Sequence, residues 1–281
     1  MANPALCMED EAASQKELAE YRAAGGTAVV DAQPVFCGRM AGALQRASLA
    51  SGVHIIAVTG FHKTAFYKKD SPVFACGTKQ LAEIFAADVT AGMLDTDGRR
   101  TDAKAGLIKI ALDNNGDESM YRKLTEASLI AASVTGAPIL VHTEPGVDVL
   151  GLLAKAKEKG IPAERVIICH LCRTRYDFEY HKAVLEQGAF LCYDSVNRTK
   201  YISHSQMIGL VLEMVRAGHG AQVLLGLDTT NQRLRAYGAD MGLDYILTTF
   251  KPTLLQAGLP EEAFRQITTH NPALALRMTC K

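Results

Sequence analysis

Short apolar runs alternate with helical stretches along the whole chain, and this alternation constrains the fold more than any other feature. The runs fall at 27–31, 54–59, 107–112, 138–142, 166–170, 190–194 and 222–228. Between them lie stretches with helical periodicity at 10–24, 39–51, 78–93, 117–135, 146–159, 175–187 and 204–217, several of them stopped by glycine. Two further helices are predicted near 240–257 and 260–268, and a third near 272–279. Strands this short and this continuously apolar are buried on both faces, as in a parallel sheet covered by helices. Segment 64–77 reads as irregular.

Strict βα alternation over 281 residues, with no linker or low-complexity run, predicts one domain spanning residues 1–281. The expected fold class is α/β, a (β/α)8 TIM barrel. Only seven strands are visible, and the chain opens on a helix. The barrel therefore reads as lacking its first strand, which would precede that helix. The edge left exposed is an association hazard. It is expected to be covered by the chain's own N-terminal segment or by a neighbouring copy in a homodimer.

The function classes excluded follow from charge and hydropathy. Lys plus Arg equals Asp plus Glu at 30 each. No basic surface for nucleic acid is implied. No apolar run approaches the roughly 18 residues of a membrane span, and the polar, acidic N-terminus does not read as a signal peptide. The seven cysteines are odd in number, and Cys37, Cys169 and Cys192 lie in strand-like runs where a buried thiol is ordinary. Cys169-x-x-Cys172 has no second pair at zinc-finger spacing. A reducing, cytoplasmic setting is expected.

Catalytic groups in α/β barrels sit at the carboxyl ends of strands. Four runs end in, or carry near their ends, residues with chemistry: Lys109, His142, His170 and Asp228. Singly each has a bland reading. A strand-end histidine is commonly a hydrogen-bonded structural group, and a strand-end aspartate caps turns. A lysine inside Leu-Ile-Lys-Ile-Ala is harder to dismiss, because an unpaired buried ammonium is costly. Together, two imidazoles, a carboxylate and an anomalous lysine suit a borderline divalent metal such as zinc.

These residues sit in segments that resemble the phosphotriesterase-related family of the amidohydrolase superfamily. The segments are AEYRAAGGTAVVDAQP, GVHIIAVTGFHKTAFY, AGLIKIALD, APILVHTEPG, RVIICHLCRT, LLGLDTT and LRAYG, and they run from about residue 10 to the C-terminus. The resemblance implies a distorted TIM barrel with two divalent metals bridged by an N6-carboxylated lysine, hydrolysing lactones, esters or organophosphates. Carried over by motif, Lys109 is the carbamate bridge, and His142 and His170 bind the outer metal. Asp228 binds the buried metal and acts as general base toward the attacking water.

One departure is specific. The family's first strand carries a His-x-His pair, whereas this chain has no histidine before His54 and no His-x-His. A downstream start, trimming and loss of the strand in the lineage each account for this. The chain as written is expected to hold at most one metal well, through Lys109, His142 and His170.

Loops after the strands supply the expected contacts to a small-molecule substrate. These are His62, Lys63 and Tyr67 after the second run, Arg198 and Lys200 after the sixth, and Asn231, Arg233 and Arg235 after Asp228. Basic loops at one rim suit an anionic sugar lactone carrying phosphate or carboxylate. The alternative is solvated loop charge. Related proteins that carry an Arg where this chain has Asn231 weigh against the phosphate reading. His181, His204 and His219 read as surface or structural, and His270–Asn–Pro–Ala as a helix-initiating turn.

Three functions compete. The first is metal-dependent hydrolysis of a lactone or ester. The second is a Schiff-base aldolase or lyase with Lys109 as nucleophile. The third is a non-catalytic or one-metal relative that lacks the buried-metal site.

Overall fold

The computed structural model describes residues 8–279. Seven parallel strands form one sheet in sequential order. They are β1 Ala28–Asp31, β2 His54–Gly60, β3 Leu107–Leu112, β4 Ile139–Thr143, β5 Val166–Cys169, β6 Phe190–Tyr193 and β7 Val223–Leu225. Among the described residues β1 pairs only with β2, and β7 only with β6. This is the curled sheet of a (β/α)8 barrel, with its first strand missing among the described residues.

Helices α1 Glu11–Ala23, α2 Ala41–Ser51, α3 Thr78–Thr90, α4 Glu118–Thr135, α5 Val149–Glu158, α6 Phe178–Glu186 and α7 His204–Arg216 supply the outer layer. Their ends follow capping chemistry. Asp117, Asp148, Asp177 and Ser203 accept first-turn N–H groups. Gly52 and Gly136 close α2 and α4 at φ 67° and 70°, the left-handed region where glycine is favoured.

Alternation along the strands divides their side chains between two layers. Ile108, Ile110, Val141, Ile168 and Leu191 face the helices within the main core. Val58, Leu107, Leu140, Ile167, Cys169, Phe190 and Leu224 fill the barrel interior. Two residues on from Leu107 and Leu140, the same parity turns Lys109 and His142 inward.

A buried ion pair anchors the α2 and α3 side. Arg39 Nη1 donates to Asp88 Oδ2 at 2.8 Å, and both side chains are fully buried. Asp88 also accepts from Thr59 Oγ1 and from the Leu94 N–H.

On the side of the missing strand, α1 is clasped to the segment after β7. The buried Glu17 carboxylate accepts the Ala236 N–H at 2.6 Å and the Leu243 N–H at 3.1 Å. Tyr237 Oη donates to the Asp10 carbonyl, and Arg235 pairs with Glu20.

Several boundaries differ from the sequence expectation: the helix expected near 272–279 ends at Ala275, the one expected over 175–187 starts at Phe178, and the segment 64–77, expected irregular, holds a helical turn at Pro72–Ala75. The helix expected from residue 146 starts at Val149, because Gly146 takes φ 78° in a turn and Asp148 is the cap. The run at 222–228 stays in the sheet only to Leu225, so Asp228 stands on a loop. The helix expected over 240–257 begins only at Ile246, with a wide π-type turn through Phe250 before Lys251–Gln256.

Candidate active site

Lys109 is a buried charged group at the carboxyl rim. It is 5% exposed, and its Nζ donates to the Ala32 carbonyl at 2.8 Å. Burial pushes its pKa down, against the charges of Asp228, Cys37, Cys169 and Asp31. Gly60, at φ 86° beside the Lys109 backbone, leaves no room for a Cβ, which would come within 2.1 Å of the Lys109 carbonyl oxygen. Any side chain at 60 would displace β3 where it presents the lysine.

The two histidines meet. His142 faces inward from β4. His170 follows β5 in the left-handed region at φ 72°, a conformation costing a non-glycine residue about 1 kcal/mol or more. That turn brings His170 Nε2 to 2.7 Å from His142 Nδ1. The outward nitrogens both face carboxylates. His142 Nε2 lies 3.0 Å from Glu144 Oε1, and His170 Nδ1 lies 2.8 Å from Asp194 Oδ2. The second approach lacks hydrogen-bond alignment, so His170 Nδ1 is a buried nitrogen without an aligned partner. Burial lowers His142 to about 4. The hydrogen bond with His142, reinforced by Lys63, lowers Glu144 to about 2.

Asp228 also takes a positive φ, 42°. Its Oδ2 accepts from Arg173 Nη1 at 2.7 Å and also from Arg198. Burial would raise its carboxyl, but the charges of His170, Arg173 and Arg198 bring it below the ordinary carboxylate range. Arg233 stands close by, lowered to about 10 by burial and by the neighbouring guanidiniums. One carboxylate thus sits among three guanidiniums, which leaves a local excess of positive charge.

The residues expected to touch substrate divide. His62 belongs to the cluster, with its ring centroid 4.9 Å from that of His142, and burial holds its pKa well below the usual histidine range. Lys63 is tied to Glu144 at 2.7 Å. Tyr67 is buried, and its hydroxyl accepts the His62 N–H, so it is part of the wall. Arg198 reaches the site through Asp228. Lys200 is exposed over the Tyr201 ring. Asn231 opens a short turn, and Arg233 donates to the carbonyls of Leu227, Val196 and Asn197. Arg235 turns away to Glu20 and Asp244.

Sequence reasoning did not single out Glu144, Arg173 or Asp194. Asp194 carried a signal, since it follows β6 as Asp228 follows β7. Arg173 lies one helical turn after His170, so the same one-turn helix positions both.

The donor set suits a divalent cation at one end of the site and not at the other. Two imidazole nitrogens that face each other, each backed by a carboxylate, form the arrangement of metal-binding histidines. They need to open from 2.7 Å to the roughly 3.3 Å set by two zinc–nitrogen bonds of about 2.0 Å. Lys109 suits this end as a carbamate, because carboxylation replaces a costly buried ammonium with an anion. Asp228 is already engaged by two guanidiniums on one oxygen and does not suit a second cation as it stands.

The fold is that of a barrel enzyme, and the candidate groups sit at the carboxyl ends of its strands, where such barrels place their active sites. The chain belongs to the Phosphotriesterase family, whose model matches residues 3–276. It is 30% identical over 281 aligned positions to the phospho-furanose lactonase of Mycoplasmopsis synoviae (strain 53), covering 94% of this chain and 79% of that protein. The crystal structure of an amidohydrolase from Mycoplasma synoviae superposes with a TM-score of 0.91 at 29% identity, covering 99% of this chain and 83% of that one. A lactonase from Listeria monocytogenes superposes at 0.89 and 27% identity, covering 98% and 88%. The expectation of a hydrolase stands. Among the described residues no helix is long and apolar enough to cross a membrane.

Proposed function

We propose that the protein hydrolyses a lactone that carries an anionic group, phosphate or carboxylate, and that Lys109 as a carbamate, His142 and His170 hold one divalent cation of the zinc class. The observation that carries this reading is the pair of imidazole nitrogens facing each other at 2.7 Å, with carboxylates behind both rings. A cation held there would polarise the lactone carbonyl and acidify water.

The chain's own residues supply the rest. Glu144 and Asp194 orient the two rings. Asp228, kept ionised by its guanidinium neighbours, accepts the proton of the attacking water. As the ring C–O bond breaks, the same proton passes to the departing alkoxide oxygen, leaving a hydroxy acid. Arg173, Arg198 and Arg233 supply the cationic excess that draws the anionic group to this side of the rim. A homodimer covering the free edge of β1 is part of the same proposal.

The test is an assay of phosphorylated and neutral sugar lactones, after reconstitution with zinc and bicarbonate and with metal analysis of the same sample. Hydrolysis of the phosphorylated lactone with about one zinc per chain is expected. One zinc without hydrolysis of any lactone overturns the substrate class, and no zinc overturns the site.

The lowered pKa of Lys109 also favours a second reading, in which its neutral amine forms a Schiff base. Borohydride reduction with a carbonyl substrate decides between them, since a trapped adduct on Lys109 excludes the carbamate.

A further inference from the structure

The barrel interior holds a second group of donors, from β5, β6 and the residue after them. Cys169 is the last residue of β5, and its register partner on β6 is Cys192. Asp194 follows two residues later, on the same face of the strand by parity. The two sulfurs and a carboxylate oxygen of Asp194 all lie within 4.8 Å of one another. Cys169 and Asp194 are 7% and 5% exposed, and Cys192 is half-buried.

A pair of buried thiols alone reads as two small apolar side chains. The carboxylate changes that reading, because two sulfurs and an oxygen around one point are donors for a thiophilic cation. The space beside them is kept open by Gly226, where a Cβ would lie 3.0 Å from Asp194 Cβ and 3.4 Å from Cys192 Sγ. Metal–sulfur bonds of about 2.3 Å set the two sulfurs about 3.8 Å apart, so the donors need to draw in by roughly 1 Å at most.

We propose that Cys169, Cys192 and Asp194 form a second cation site, which takes a thiophilic divalent ion of the zinc or cadmium class and is distinct from the His142–His170 pair. Each thiol releases its proton to solvent as its sulfur takes the cation. Starting from the metal-free chain, where Lys109 is not carboxylated, two thiolates and the Asp194 carboxylate then balance the divalent ion and the Lys109 ammonium, whose charge acts on Cys169. Asp194 is shared, since its Oδ2 backs His170. Filling the thiol site therefore draws a carboxylate from the imidazole pair.

The site is read by sulfur ligation, which the imidazole pair cannot supply, so its failure is separate from failure of the hydrolase reading. The experiment is titration of the metal-free full chain with cadmium in a His142→Ala background, followed by the ultraviolet thiolate-to-cadmium absorbance. A rise that saturates at one equivalent is expected. It should be absent in Cys169→Ser and in Cys192→Ser, and kept in Cys172→Ser. Circular dichroism establishes that each variant folds, with Cys192→Ala as the substitute if the serine variant does not. No absorbance in the parent, or full absorbance in the Cys169→Ser/Cys192→Ser double variant, overturns the proposal. X-ray absorption of the zinc-loaded parent should show two sulfur neighbours per site, and none would equally overturn it.

Discussion

Nε2 of His170 faces Nδ1 of His142 across 2.7 Å, although the two residues are 28 positions apart. Neither ring can be replaced without opening this pair. His142→Asn and His170→Asn are each expected to lose zinc retention. Each should also reduce lactone kcat/KM by more than the roughly 10–100-fold typical of a residue that only supports a ligand. Steady-state kinetics with metal analysis checks this, and full activity in either variant removes the pair from the chemistry.

In the proposed mechanism Asp194 acts through His170 and not on substrate. Asp194→Asn keeps the shape and removes the charge behind the ring. A loss of about 10–100-fold in zinc affinity is expected, with KM changing less than kcat. Competition with a chromogenic chelator measures the affinity. An unchanged affinity would show that His170 needs no carboxylate behind it.

The metal-free chain should weaken in acid. His142 is lowered to about 4 from the ordinary 6.5. Between those values the unfolded chain binds a proton at this ring that the folded chain refuses, so stability falls as pH drops through the window. Glu144, lowered from 4.5 to about 2, contributes stability that is present above 4.5 and lost as pH falls toward 2. Urea midpoints of chelator-treated protein should therefore decline from pH 6.5 downward, and His142→Asn should flatten the slope between 6.5 and 4. A midpoint that rises on acidification contradicts the assignment.

Arg198 is expected to discriminate between substrates by charge. Arg198→Met removes one of the guanidiniums around Asp228, so every substrate suffers in kcat. A charge-assisted hydrogen bond is worth about 1.5–3 kcal/mol, so a phosphorylated lactone should lose roughly a further 10–100-fold in kcat/KM relative to its neutral analogue. Equal losses for the two would place the anion elsewhere.

Away from the site, Arg39→Ala leaves Asp88 buried with one charge partner fewer. Removing one member of a buried pair costs about 3–5 kcal/mol. Denaturant unfolding measures this. A loss below about 1 kcal/mol would mean that Arg100 and the Thr59 hydroxyl compensate.

Much of the barrel was legible before the structure, for a local reason. A parallel strand buried on both faces must be apolar throughout, so β3, β4 and β5 stand out as runs between glycine-stopped helices. Within such a run a lysine is conspicuous, which is why Lys109 could be singled out. The strand-end histidines were legible as positions. Their meeting was implied by the family resemblance alone and by no local pattern, because it depends on the left-handed backbone at His170.

The basic loops show the opposite outcome. Their positions were read correctly, but Arg233 donates to carbonyls of its own and the preceding loop, and Lys63 pairs with Glu144. Loop carbonyls withdrawn from water need donors, and long cationic side chains nearby supply them.

The sequence by itself determined the α/β class, the order of seven strands and which residues stand at the carboxyl rim. These follow from burial and from the two-residue period of a strand, both written locally. Only the tertiary structure decided that Arg173 and Arg198, 55 and 30 positions before Asp228, converge on its carboxylate, and that Cys169 and Cys192 lie side by side. Such pairings are set by strand register and barrel curvature, which arise when separate strands are laid side by side and leave no trace in either strand alone.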